Sequence, residues 1–111
     1  MKTRAFLIAA IALAALFAGC AQPAQQAVQS TETERAKVLC VQECFGQQAV
    51  GLDLSRGPCL SEEIMRGWVC DCAHSPRQAV DDDPANQCPA YGKAAQHFVE
   101  VDPECNFVRA A

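Results

Sequence analysis

The sequence has no surplus of basic charge, no apolar run of membrane-spanning length, no twin arginine and no Cys-x2-Cys pair. Each absence excludes something. Nine Lys and Arg against thirteen Asp and Glu give a formal net charge of -4, which argues against nucleic acid as a partner and leaves no polybasic patch for an anionic membrane. The unbroken apolar run Ala5–Ala18 falls short of the about 20 residues a spanning helix needs, and it fits the h-region of a secretory signal. Without a twin arginine, general secretion of an unfolded chain is the simpler export route. Without paired Cys-x2-Cys knuckles, a structural zinc site has no framework.

What the sequence does have is an exported N-terminus. Met1-Lys2-Thr3-Arg4 is a short positive region ahead of the apolar run, and the run closes at Gly19-Cys20. Leu16-Phe17-Ala18-Gly19-Cys20 resembles the lipobox of prokaryotic lipoproteins, in which the cysteine is lipidated and becomes the new N-terminus. Phe17 stands where leucine is usual, leaving Leu16 one residue early. Ordinary signal-peptidase cleavage nearby, or an uncleaved anchor, is the alternative. Residues 1–19 are thus expected to be a signal peptide, Cys20 the lipidation site, residues 20–30 a flexible Ala/Gln-rich tether, and residues 31–111 the folded domain. The protein would sit on the extracytoplasmic face of a membrane, held by the lipid alone once Lys2 and Arg4 are removed.

Within the domain, Thr31-Glu32-Thr33-Glu34 has the form of a capping box and predicts a helix to about Gln48. Cys40 and Cys44 fall on one stripe of that helix, about 6 Å apart at Cβ, too far to bond each other, so each is expected to bond elsewhere. Gly46–Pro58 reads as a loop with a short extended piece at Val50–Leu54. Ser61 is placed to cap a short turn through Glu62–Arg66 that stops at Gly67. Trp68–Ala73 and Gln96–Val101 read as strands, and alternation sends Trp68, Cys70, Cys72 and His74 to one face and Val69, Asp71 and Ala73 to the other. His97 shares a face with Val99 and Val101. Asp81–Asn86 reads as a solvated acidic turn. It lacks the glycine and glutamate of a calcium loop. The fold class expected is small α+β: a disulfide-rich domain with one N-terminal helix and a small antiparallel sheet.

A domain of roughly 80 residues has a marginal core, and exported ones commonly add covalent staples. With Cys20 lipidated, seven cysteines remain. Six of Cys40, Cys44, Cys59, Cys70, Cys72, Cys88 and Cys105 are read as three bridges, and the odd thiol is to be chosen from Cys70 and Cys72, which crowd one strand face two residues apart and cannot easily bond each other. Retention of an unmodified Cys20 would instead allow all eight to pair. A free Cys72 could also capture a second chain as a dimer.

The segments Asp53–Ser61, Trp68-Val69-Cys70-Asp71, Ala73-His74, Pro76-Arg77, Asn86-Gln87-Cys88 and His97–Glu100 resemble a family of small exported, cysteine-rich, mostly archaeal proteins of unassigned function. The resemblance covers roughly the second half of the chain. The family position of Cys72 tends to be apolar, so the resemblance favours Cys72 as the odd thiol, with Cys40, Cys44, Cys59, Cys70, Cys88 and Cys105 as the bridged six, and it implies no activity.

Two functional classes follow. One is a non-enzymatic, lipid-anchored binding or structural module with no cofactor and an unidentified protein or small-molecule ligand. The other is a metal or thiol-redox site built from Cys72, His74 and His97, where a thiol beside an imidazole would have a lowered pKa. A thiol hydrolase lacks a Gly-rich oxyanion element and an orienting acid.

Overall fold

The computed structural model describes residues 24–111, with side chains from Thr31 onward. The expected signal peptide, Cys20 and the first residues of the tether lie outside the described residues.

One helix, α1 (Ala24–Ala49), packs on a four-stranded sheet of β1 (Cys59–Met65), β2 (Trp68–Cys72), β3 (His97–Val101) and β4 (Phe107–Ala110). The strands lie in the order β1-β2-β3-β4. The α+β class, a helix N-terminal to the sheet and the two named strands are as expected from the sequence. Pairing is antiparallel on the two outer ladders, but the expected antiparallel pairing of Trp68–Ala73 with Gln96–Val101 is corrected: the central pair, β2 and β3, runs parallel, with Trp68 opposite His97 and Cys72 opposite Val101. A parallel pair needs a long crossover, and residues 73–96 supply it.

The helix starts earlier than the capping box indicated. Ala24–Ser30 is rich in good helix formers and holds no Gly or Pro, so the helix runs through Thr31 without a break and replaces most of the expected tether. Glu34 pairs with Lys37 at 2.9 Å one turn on. At the other end Gly51 takes the left-handed conformation (φ +88). There Leu52 N donates to Gln47 O at 3.0 Å and Gly51 N to Gln48 O at 3.1 Å, which satisfies two terminal carbonyls.

Two further expectations are corrected. Val50–Leu54 is not extended: Leu54–Arg56 forms a 3-10 turn capped by Asp53, with Leu54 buried. Glu62–Arg66 is not a helical turn but the end of β1 and the hairpin to β2, where Gly67 (φ +83) lets the chain reverse. The Ser61 hydroxyl does accept from Glu63 N at 3.2 Å, as a cap would, yet it does so inside a bulged strand.

The core lies between α1 and the sheet. Ala36, Cys40 and Cys44 of the helix meet Trp68, Cys70, Cys72, Val99 and Val101, all essentially inaccessible. Three disulfides fasten this arrangement: Cys40–Cys70 ties α1 to β2, Cys44–Cys105 ties α1 to the turn before β4, and Cys59–Cys88 ties β1 to the crossover. The last lies with Val69 and Ala95 on the opposite face. All six cysteines read as bridged are bridged, and Cys72 is the free cysteine among the described residues.

Candidate functional site

The residues first singled out do not assemble. Trp68, Cys70 and Cys72 face the helix as alternation required. The parallel register then places His97 beside Trp68, where the rings stack with centroids 4.6 Å apart, at the opposite end of the strand pair from Cys72. Four strand positions separate them, about 13 Å at the usual rise. His74 lies beyond the end of β2 and directs Nδ1 to Asp81, 2.9 Å from Oδ1 and 3.2 Å from Oδ2. Among the described residues no group of three or more His, Cys, Asp or Glu could hold a metal ion. The proposed set of Cys72, His74 and His97 is therefore not brought together, because a parallel pairing sends the two histidines to opposite ends.

Cys72 is also a poor nucleophile where it stands. Its Sγ lies 3.5 Å from Leu54 O with no exposed surface. Burial, reinforced by the negative charges of Asp71, Asp81, Asp102 and Glu104, pushes the thiol up to about 12. A thiolate at neutral pH would require the opposite surroundings.

Asp81 corrects the reading of Asp81–Asn86 as a solvated turn. Asp82 and Asp83 are exposed, but Asp81 is 2 % exposed and closes the start of the crossover. Its carboxylate accepts from Gln78 N at 2.8 Å, from His74 N at 3.1 Å and from the His74 ring. Burial alone would raise its pKa, but these hydrogen bonds outweigh burial and hold the carboxyl below its usual range. Gly57 makes room for it: in the left-handed region (φ +63), it lies where any Cβ would collide with Asp81 Oδ1. A β-carbon there would meet both conformational and steric resistance.

The chemically distinctive surface lies on the other side of the sheet. Asp71 on β2 and Glu100 on β3 are register partners, and Arg109 on β4 lies opposite Glu100. Arg109 grips Glu100 through Nε (2.8 Å to Oε2) and Nη2 (3.1 Å to Oε1). Arg77, from the crossover, reaches Glu100 Oε1 at 3.3 Å and also binds Asp82 Oδ1 at 2.7 Å and Asp81 O at 3.1 Å. Tyr91 stands edge-on to Phe98, whose ring carries the Arg109 guanidinium 5.0 Å from its centroid. These groups line a cleft of about 240 Å³ with Val69 at its base.

Asp71 is the unsettled member. Its Oδ1 is buried, and no described protein group donates to it. Burial, and secondarily repulsion from Glu100, raises the carboxyl from 3.8 to about 7, against smaller lowering effects from the Cys72 amide and Arg77. A carboxylic acid poised near neutrality in an accessible cleft can accept a donor when ionised and offer one when protonated.

The sequence reading placed Asp71 on the correct face but did not recognise a site there. The available signal was a carboxylate at an in-phase position of each of two otherwise apolar strands, Asp71 in WVCDC and Glu100 in HFVEV. The arginines that answer them come from the crossover and from β4, a strand that Cys105-Asn106-Phe107-Val108 did not announce. Comparison with protein-family models, with curated proteins and with solved structures finds no match to this chain.

Proposed function

We propose that the protein is a lipid-anchored binding module of the cell envelope, held at the membrane through Cys20, whose ligand seats in the cleft above Asp71 and Glu100. The observation that carries this reading is the cleft itself: an accessible concavity backed by a covalently braced sheet, with a buried carboxylate oxygen that the protein leaves without a donor. Convergent polar groups with a perturbed pKa on an apolar floor are the ordinary makings of a ligand site. Three disulfides are consistent with an extracytoplasmic location, and no helix among the described residues is long and apolar enough to cross a membrane. The lipobox-like end of the leader and the resemblance to small exported cysteine-rich proteins support the same placement.

A fragment screen by NMR on the isotope-labelled, detergent-extracted protein tests this. Weak ligands are expected to cluster their shift changes on Asp71, Tyr91, Phe98 and Arg109. Hits confined to the helix side, or none at the cleft, would contradict it.

A further inference from the structure

The charges around the cleft do not balance, and the imbalance selects a ligand. Glu100 engages both arginines, and Arg77 is further occupied by Asp82 and the Asp81 carbonyl. Two guanidinium groups thus answer Glu100 and Asp82, and Asp71 is the carboxylate without a hydrogen-bonded cation. An anionic ligand would have to displace Glu100 from charge-assisted hydrogen bonds. A cationic one meets in Asp71 a part-exposed, cleft-lining carboxylate that neither arginine hydrogen-bonds.

We propose that the cleft binds a small primary amine, its ammonium group donating to the part-exposed Asp71 carboxylate while its short apolar stem lies against Val69 and Tyr91. The proposal rests on the reading of the cleft as a ligand seat and names what sits in it. Size points the same way: about 240 Å³ is less than the roughly 300–1,000 Å³ typical of drug-sized ligands. The groups facing Asp71 are Glu100 from β3, Arg109 from β4, and Arg77, Asp81 and Tyr91 from the crossover. Of these only Glu100 and Asp81 repel its negative charge, and an ammonium beside it relieves that repulsion. Binding should therefore require ionised Asp71 and fade in acid.

The test titrates the detergent-extracted full chain with butylamine, butyrate and 1-butanol, following the cleft resonances by NMR. Butylamine is expected to bind at least about tenfold more tightly than either isostere, a discrimination of about 1.4 kcal/mol. Its affinity should fall roughly tenfold per pH unit below about 7. Asp71→Asn should weaken butylamine at least about tenfold, and the pH series on the parent decides the matter should that variant unfold. Butyrate binding as well as butylamine, affinity independent of pH, or an unchanged folded Asp71→Asn would overturn the proposal. Should other fragments gather in the cleft while butylamine shows no preference, the amine falls and the binding module stands. A cleft silent to every fragment ends both.

Discussion

Asp71 and Cys72 are chain neighbours that face opposite sides of one sheet, and burial pushes the pKa of both upward. The consequences differ. Cys72 stays a neutral thiol at any ordinary pH and fills space, so Cys72→Val should change stability by less than about 1.5 kcal/mol. A maleimide should leave the folded protein unlabelled near pH 8 and label one site after denaturation without reductant; rapid native labelling would revive a chemical role. For Asp71 the folded state favours the protonated form. Its stabilising contribution is fully present below the unfolded value of 3.8 and is lost as the pH rises through about 7. Asp71→Asn should therefore raise stability by about 1–3 kcal/mol near pH 8 and by little near pH 4. Denaturant melts at the two pH values check this, and an equal effect at both would count against a buried, poised carboxyl.

At the scale of elements, the crossover between β2 and β3 hangs on Asp81. Its pKa is lowered, so the sign is opposite to that of Asp71: its stabilisation is present above the unfolded pKa and is lost as the pH falls through the folded value. Asp81→Ala strands the amides of Gln78 and His74 and should cost about 2–4 kcal/mol by chemical denaturation, whereas a loss under about 0.5 kcal/mol would show the crossover anchored elsewhere. The elements that were legible in the sequence are those with a period. Cys40 and Cys44 announced a helix face, and Trp68–Cys72 and His97–Val101 announced strands with the correct sides inward. The elements missed were those fixed by distant partners. β1 has a non-alternating Ser61-Glu62-Glu63 because its pairing with β2 is bulged, and local capping chemistry there imitates a helix start. The parallel sense of β2 and β3 is likewise not written in either strand. It follows from the path of the crossover, pinned by the Cys59–Cys88 bridge and by Asp81. The same locality hid the cleft, since Arg77, Glu100 and Arg109 meet only after that path is set.

At the scale of the whole molecule, covalent bonds compensate for a small core. The bridges span separations of 30, 61 and 29 residues, for which loop-closure entropy gives about 3–4 kcal/mol each. That sum exceeds the about 3–5 kcal/mol a core of this size supplies, so reduction should unfold the domain at moderate temperature. Circular dichroism with and without reductant reads this directly, and an unchanged melt would mean that the sheet holds without its staples. Cys20→Ser should release the protein from membranes into the soluble fraction. The most direct measurement of the central claim, an anchored domain closed by three bridges around a silent thiol, is the intact mass of the membrane-extracted protein, denatured and alkylated without reduction. Expected is a chain beginning at Cys20 that carries a lipid, lacks the six hydrogens of three disulfides and has taken up one alkyl group, mapped to Cys72. An unmodified Cys20, or a Cys72 found within a bridge, would contradict it.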